Sequence, residues 1–308
     1  MAAQSTLLAS KRQVEYREMP ARSILNRSKP GMPFHWTINP YRGCEFGCKY
    51  CYARYTFEFM EMPVTDFEDR IFAKSASAHL LAQELRRLDH REQIALGTAT
   101  DPYQPAERRY GRTREILEVF ARERGRRLGI VTKSDLVTRD IDILKEVARR
   151  NVLSIHVTIT TLDERLARLL EPRAPRPALR VEAVGKLSRA GLAVGVTAKP
   201  ILPALTDGER ALDRLGKAAK DAGALTFQGG AVFLMPSALQ VFLPFLEEQF
   251  PHLAGRYREQ FAQSAYMGRA YKEALQVRLQ KIRERYGLDA ATLDYRPELW
   301  MEEQASLF

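Results

Sequence analysis

Residues 39–52 read NPYRGCEFGCKYCY, and this stretch decides the fold. It contains all three cysteines of the chain in the spacing C-x3-C-x2-C, as Cys44, Cys48 and Cys51. Gly43 and Gly47 allow the tight turns that bring three thiolates to one inorganic centre. A structural zinc ion takes four ligands, usually in two pairs, and there is no second cysteine pair. Three cysteines instead suit a [4Fe–4S] cluster with one iron open to an outside ligand, so we favour the cluster over zinc.

The composition is that of a globular protein. The chain has 308 residues, with 45% apolar and 28% charged residues. It has no run of about 18 apolar residues that would span a membrane. Residues 1–12 lack the features of a secretory signal, and three clustered cysteines are too few for a disulfide framework. We therefore expect a cytoplasmic protein without a membrane partner.

The charge is strongly basic. Lys and Arg number 48 against 38 Asp and Glu, which gives a net charge of +10. A basic surface attracts nucleic acid through the release of counterions. The charge favours a nucleic-acid partner, although an ordinary basic protein would carry it too.

Apolar strands alternate with amphipathic helices along most of the chain, which predicts parallel strand–helix units. The six predicted strands are 34–38, 93–100, 128–134, 151–160, 192–197 and 225–234. The predicted helices between them are 76–88, 113–124 with Thr113 as N-cap, 138–149, 163–170, 178–190 and 206–222. In barrels of this kind the site forms where the strands end. Polar residues follow the strand ends as that rule expects: Thr98, Thr100, Asp101, Thr132, Lys133, Ser134, Thr158, Thr160 and Lys199.

The chain divides into four predicted parts. Residues 1–30 form a basic N-terminal arm, and 31–235 form the core barrel. Residues 236–293 form a helical region, in which 254–286 is one long interrupted helix that closes the barrel or covers its side. Residues 294–308 form a flexible tail.

The cysteine spacing, with Tyr50 before the last cysteine, resembles the signature of the radical S-adenosylmethionine (SAM) superfamily. The resemblance implies an α/β fold, a partial (β/α)6 TIM-like barrel with a C-terminal helical extension. It implies that Cys44, Cys48 and Cys51 hold the [4Fe–4S] cluster, which reduces SAM to methionine and a 5′-deoxyadenosyl radical. Tyr50 would lie beside the adenine. A reductant such as flavodoxin or ferredoxin would supply the electron.

Four stretches resemble more closely the spore photoproduct lyase family, whose members repair DNA. They are NPYRGC at 39–44, LGTATDPYQPAE at 96–107, VTKS at 131–134 and LEPRAP at 170–175. The resemblance implies that Thr100 and Lys133 hold the SAM carboxylate, for which a compact lysine cation is suited. It also implies that Ser134 and Thr158 support the methionine or the ribose. Asp101 is a further cofactor-binding candidate, or it caps the turn that follows it.

One departure from that family concerns the return of a hydrogen atom to the substrate. The family uses a fourth cysteine, in the segment that corresponds to residues 94–105, and this chain has none there. The step cannot run in the same way. Tyr50 and Tyr52, which flank Cys51, are the candidate catalytic residues that would carry the radical without a thiol. The alternative is that the substrate and the reaction differ from those of the family.

The last five residues, QASLF, resemble the peptide with which bacterial DNA repair and replication proteins bind the sliding clamp. Gln304 would provide a polar anchor, and Leu307 and Phe308 would fill an apolar pocket. A C-terminus that folds back on the barrel is the alternative. Together the patterns favour a radical SAM enzyme that repairs or modifies DNA. A radical enzyme acting on RNA, a peptide or a metabolite, and a non-catalytic iron–sulfur adaptor for DNA and the clamp, stay open.

Overall fold

A computed structural model describes residues 14–288. The strands in these residues are β1 (Glu15–Pro20), β2 (Leu25–Arg27), β3 (Trp36–Ile38), β4 (Tyr41–Arg42), β5 (Arg70–Ser75), β6 (Gln93–Leu96), β7 (Arg127–Thr132), β8 (Val152–Thr158), β9 (Val194–Ile201) and β10 (Thr226–Ala231). The α-helices are α1 (Tyr55–Glu58), α2 (Ser77–Leu85), α3 (Ala106–Tyr110), α4 (Arg112–Arg122), α5 (Ile141–Arg150), α6 (Glu164–Leu170), α7 (Pro177–Arg189), α8 (Glu209–Asp221), α9 (Pro236–Gln249), α10 (Pro251–Phe261) and α11 (Arg269–Tyr286).

The main sheet confirms the predicted partial (β/α)6 barrel. Its order is β10-β9-β8-β7-β6-β3-β2, and the six strands from β10 to β3 are all parallel. These are the six strands that the sequence predicts. The short β2 adds an antiparallel edge. The carboxyl ends of the six parallel strands therefore lie at one edge, where the sequence placed the polar residues.

Each barrel strand has one face in the apolar core and the opposite face toward the cavity, as β8 illustrates. Leu153, Ile155 and Val157 are buried in the large core between the sheet and its surrounding helices. The alternate residues Ser154 and His156 line the interior cavity instead. Since strand side chains alternate between faces, the sequence VLSIHVT leaves the inside of the barrel polar and open.

One helix start differs from the prediction. Thr113 is not the N-cap of α4, because the helix begins at Arg112 and Gly111 occupies the cap position with a positive φ of 64°. The Thr113 hydroxyl instead donates a hydrogen bond to the carbonyl of Pro102. That contact ties α4 to the loop after β6, a tertiary role that a local capping pattern does not reveal.

A second, three-stranded sheet lies at the N-terminal side, in the order β1-β5-β4. Part of the predicted N-terminal arm is therefore strand: β1 pairs with β5, and β2 joins the main sheet. The division of the chain into four parts stays a prediction. β4 is the strand that leads directly into the cysteines, so the small sheet fixes where their loop begins.

The C-terminal helices cover two sides of the barrel. Phe242 and Leu246 of α9 share one core cluster with Cys44 and Cys48, so α9 backs the cysteines. The predicted long helix is present as α10 and α11, separated by residues 262–268. α11 packs against β10, where a Cβ on Gly229 would meet Leu279 at 2.7 Å. Among residues 14–288, no helix is long and apolar enough to cross a membrane.

Candidate active site

The cysteine loop, residues 43–52, starts at a position that only glycine can occupy. Gly43 has a φ of +77°, and a Cβ there would lie 2.3 Å from the carbonyl oxygen of Arg70. The next residue, Cys44, donates its backbone N–H to the carbonyl of Phe67 at 2.9 Å. The loop is thus pressed against the segment before β5, and a side chain at Gly43 would push it away.

The stretch 96–107 holds the loop from the barrel side. The Thr100 hydroxyl and the Gln104 amide both donate to the carbonyl of Gly43, at 2.7 and 3.1 Å. Gln104 also accepts the backbone N–H of Glu45 at 2.9 Å. Thr100 therefore directs its proton to the loop backbone, and its predicted role at the SAM carboxylate stays a prediction. Sequence reasoning missed Gln104, although it lies in a stretch that carries the family resemblance.

Glu171 is the charged centre behind the loop. It accepts hydrogen bonds from Tyr50 and, at 2.5 Å, from Thr160, and it forms an ion pair of 2.5 Å with Arg180. Both charged side chains are almost fully buried. Burial raises the pKa of Glu171, but Arg180 and Lys133 lower it more, so the carboxylate is ionised.

Sequence reasoning assigned no role to Glu171 or Arg180. The LEPRAP stretch at 170–175, which carries part of the family resemblance, contains Glu171 and was the feature of the sequence that could have pointed to it. A buried arginine supports the loop from the other side, and it was also missed. Arg54 donates to the carbonyl of Cys48 in the loop at 3.4 Å, and also to the carbonyl of Val64 at 2.8 Å and to Glu68 at 2.7 Å.

A cavity of about 690 Å³ opens beside the cysteine loop and runs along the inside of the barrel. All but one of the predicted site residues line it: Cys44, Cys48, Cys51, Tyr50, Tyr52, Thr100, Asp101, Lys133 and Thr158. The exception is Ser134, whose hydroxyl accepts the N–H of Leu136 and caps a short 3-10 helix. The fold therefore brings together residues that are more than 100 positions apart in sequence.

Asp101 joins the ends of two neighbouring strands. It accepts hydrogen bonds from the Thr132 hydroxyl at 2.6 Å, the Lys133 N–H at 2.7 Å and the Tyr103 N–H at 2.9 Å. Burial raises the pKa of Asp101 and these donors lower it, and the net direction is upward. The Asp101 carboxylate accepts these hydrogen bonds from groups of the protein itself, so its clearest effect is to position Lys133.

Lys133 places its ammonium 5.7 Å from the centre of the Tyr50 ring, at the edge of the cavity. Burial lowers the pKa of Lys133, but Cys48 and Glu171 raise it, and the net direction is upward. The side chain is therefore a fixed cation next to the cysteines, suited to a carboxylate. Tyr52 lies on the other side of Cys51, donates to the carbonyl of Thr98 and packs its ring 4.8 Å from that of Phe233.

The three thiols lie together on one wall of the cavity. In residues 14–288, no group of three or more His, Cys, Asp or Glu side chains is close enough to hold one metal ion. Cysteine thiolates are the usual ligands of iron–sulfur clusters. Burial raises the pKa of all three cysteines, that of Cys48 to about 12. A centre that binds them as thiolates must therefore displace their protons.

The chain belongs to the radical SAM superfamily, whose family model matches residues 38–216. It is therefore a radical SAM enzyme. It is 35% identical to an uncharacterized protein of Mycobacterium tuberculosis, over 92% of this chain and 84% of the relative. It is 28% identical to an uncharacterized protein of Methanocaldococcus jannaschii, over 77% of this chain and 85% of the relative.

Among solved structures, the fold resembles that of spore photoproduct lyase. A cysteine-to-serine mutant of that enzyme matches with a TM-score of 0.68 and 16% identity, over 88% of this chain and 79% of the other. The same enzyme complexed with a dinucleoside spore photoproduct matches with a TM-score of 0.67 and 16% identity, over the same shares of the two chains. At this identity the likeness concerns the fold.

Proposed function

We propose that this radical SAM enzyme binds a [4Fe–4S] cluster through Cys44, Cys48 and Cys51 and acts on a nucleic acid, with repair or modification of a DNA base favoured. When bound, the cluster and SAM supply a 5′-deoxyadenosyl radical, which takes a hydrogen atom from the substrate. The observation that carries the proposal is that the three thiols and Lys133 share one cavity at the carboxyl ends of the parallel strands.

The protein's own residues would orient SAM and exclude water. Lys133 would hold the SAM carboxylate, with its position set by Asp101 at the end of the neighbouring strand. Tyr50 would present its ring to the adenine, because Glu171 fixes its hydroxyl from behind. Thr158 would contact the methionine or ribose, and Ser134 would act only through the turn that it caps. The fixed geometry is what a reactive radical requires, because a loose site allows side reactions.

Two observations support a nucleic-acid substrate. The chain carries a net charge of +10, which favours polyanionic partners. Spore photoproduct lyase, whose fold this chain resembles, has been solved in complex with a dinucleoside spore photoproduct. The reaction proposed here differs from that enzyme's, since this chain has no fourth cysteine to return a hydrogen atom. We propose Tyr52, which lines the cavity beside Cys51, as the residue that carries the radical.

The test is anaerobic reconstitution of the full chain with iron and sulfide, followed by reduction in the presence of SAM. We expect 5′-deoxyadenosine to form, and Lys133→Ala to reduce its formation by about 10-fold or more, because a charge-assisted hydrogen bond is lost. Lys186→Ala, at an exposed ion pair on α7, is the matched control. A wild-type protein that takes up iron but releases no 5′-deoxyadenosine would support a non-catalytic adaptor instead.

The substrate is tested by comparing SAM turnover with ultraviolet-damaged DNA, undamaged DNA and RNA. Stimulation by damaged DNA alone supports repair, and stimulation by RNA alone refutes the DNA proposal. The proposed clamp peptide, with Gln304, Leu307 and Phe308, lies outside the described residues. It stays a prediction, as do the cytoplasmic location and the flavodoxin or ferredoxin donor.

A further inference from the structure

The inner faces of β8, β9 and β10 form a continuous polar surface, which we call the strand wall. The strand register pairs His156 with Gly195 and Thr158 with Thr197, and it pairs Thr197 with Gln228 on the next strand. Alternate residues therefore face the cavity. The strand wall consists of His156, Thr197, Lys199, Gln228 and Gly230, all of which line the cavity. Thr158 lines the same cavity but is assigned to SAM.

Lys199 stands at the outer end of the strand wall. It follows Thr197 by two residues, so its Cα lies about 7 Å further toward the carboxyl ends of the strands. The aliphatic stem of Lys199 lies over Gly230, where an added Cβ would be 3.3 Å from Cε. The missing side chain at Gly230 thus makes room for the lysine to extend along the wall.

The charge of Lys199 has no partner among residues 14–288, where it forms no ion pair. The residue as a whole is exposed to solvent, and partial desolvation lowers its pKa. Asp101 is the carboxylate that lines the cavity, and its oxygens already accept three hydrogen bonds. Lys133 stands beside the cysteines, where it is assigned to SAM. The ammonium of Lys199 is therefore available to bind an anion in the cavity.

His156 adds hydrogen-bonding capacity deeper in the same wall. Its Nδ1 is buried and has no hydrogen-bond partner in the described structure. Burial, and then the charge of Lys199, lower the pKa of His156 to about 4, so the ring is neutral at pH 7. Nδ1 faces Gly195, where an added Cβ would be 3.2 Å away, and is closed to the cavity. The other ring nitrogen, Nε2, makes no hydrogen bond in the described structure and is left to bond a ligand in the cavity that His156 lines.

We propose that Lys199 is the substrate-binding residue that receives a phosphate group, with Gln228 and His156 offering hydrogen bonds to the attached unit below it. The inference rests on the proposed function, because it assigns the substrate of that same cavity. Phosphate is favoured because the chain as a whole attracts polyanions. The phosphate can come from a nucleic-acid backbone or from a free nucleotide.

The test measures binding by the reconstituted full-length protein under anaerobic conditions with SAM present. The probes are a labelled short oligothymidine with phosphodiester linkages, the same oligomer with neutral methylphosphonate linkages, and thymidine 5′-monophosphate. Lys199→Gln should weaken binding of the phosphodiester oligomer by about 10- to 100-fold, the range for a hydrogen bond to a charged group. Its effect on the neutral oligomer should be much smaller, and Lys199→Arg should restore most of the affinity.

Lys217→Gln is the matched control, because it removes the same charge from an exposed lysine of α8 that pairs with Asp221 outside the cavity. It should bind all probes as the wild type does. If thymidine 5′-monophosphate shows the same dependence on Lys199 as the oligomer, the phosphate comes from a free nucleotide. Equal losses on charged and neutral oligomers, or equal effects of Lys199→Gln and Lys217→Gln, would overturn the assignment.

The binding measurement separates this inference from the proposed function. SAM cleavage by the wild type is assayed in parallel. A wild type that binds phosphate probes through Lys199 but cleaves no SAM would refute the enzymatic proposal and leave the phosphate subsite in place. A wild type that cleaves SAM but binds none of the phosphate probes would refute the subsite alone.

Discussion

The cavity has two walls that use their polar groups in opposite ways. The cysteine loop is held by internal hydrogen bonds, from Gln104 on one side and from Glu171 and Arg54 on the others. The strand wall has few such bonds. In the described residues Lys199 has no ion pair, and the side chain of Gln228 and the Nε2 of His156 make no hydrogen bond, although all three line the cavity.

The difference indicates a division of work. Groups that hold a cofactor in one geometry must themselves be locked by neighbours, or their positions drift. Groups that wait for a substrate must keep donors and acceptors free. Two buried arginines, Arg54 and Arg180, are paired with carboxylates beside the cysteine loop, and an open polar surface lies opposite. Four changes, from the largest expected effect to the smallest, would break or sharpen this contrast.

Replacing Glu171 with alanine should cause the largest loss of stability. Arg180 would be left buried without its partner, and breaking a buried ion pair in this way costs about 3–5 kcal/mol. Tyr50 would also lose its hydrogen bond. Urea unfolding measures the loss, and Glu182→Ala, at an exposed pair with Lys186, should unfold as the wild type does. Similar stabilities of the two variants would contradict the role of Glu171 as a locked centre.

Gly43→Ala should destabilise the protein by about 1–3 kcal/mol from backbone strain alone, and further because its Cβ would clash with the Arg70 carbonyl. Iron uptake on reconstitution should fall with it. Gly111→Ala is the control: Gly111 also has a positive φ, but no atom lies within 4 Å of its Cβ position. The difference between the two variants in thermal unfolding isolates the clash. If both lose the same stability, the close approach at Gly43 is unimportant.

His156 should give the strand wall a dependence on pH. Its pKa is lowered from 6.5 to about 4 by burial and by Lys199, so between these values the unfolded chain binds a proton that the folded protein does not. Stability therefore falls as the pH falls through this range, by up to about 1.4 kcal/mol per pH unit. His156→Gln should remove that slope when unfolding is measured from pH 7 to pH 4. Parallel profiles for the two proteins would show that the histidine is not held neutral.

Gln228→Ala should have the smallest effect on stability, within about 0.5 kcal/mol, because the side chain makes no hydrogen bond in the described structure that could be lost. Gln104→Ala, at the cysteine loop, is its counterpart. It removes three hydrogen bonds of a buried side chain and should cost clearly more. Chemical denaturation of the pair compares the two walls directly, and an equal cost would remove the distinction between them.

Much of the fold followed from local patterns. The alternation of short apolar strands with amphipathic helices predicted six parallel strands, and the structure has them in one sheet. Such patterns can be read without the structure because each strand or helix buries its own apolar face. The prediction of Thr113 as a helix N-cap was wrong. Its hydroxyl donates a hydrogen bond to the carbonyl of Pro102, a contact between segments that a local pattern does not encode.

Residue chemistry and spacing singled out the three cysteines and Lys133, and the structure brings them to one cavity, while their roles stay predictions. The site was not predictable where a residue's role depends on distant partners. Glu171 and Arg180 become one buried pair behind Tyr50, which lies 121 residues from Glu171 in sequence. The strand register places His156 and Gln228 in the same cavity wall, and their proposed role could not be inferred without that register.

The sequence by itself determined the radical SAM family and the barrel, because cysteine spacing and hydrophobic alternation are local properties. Tertiary structure decided which polar groups are locked and which stay free. That depends on which side chains meet after folding: the Thr100 hydroxyl bonds to the cysteine loop, whereas the Thr197 hydroxyl on the strand wall makes no hydrogen bond within residues 14–288.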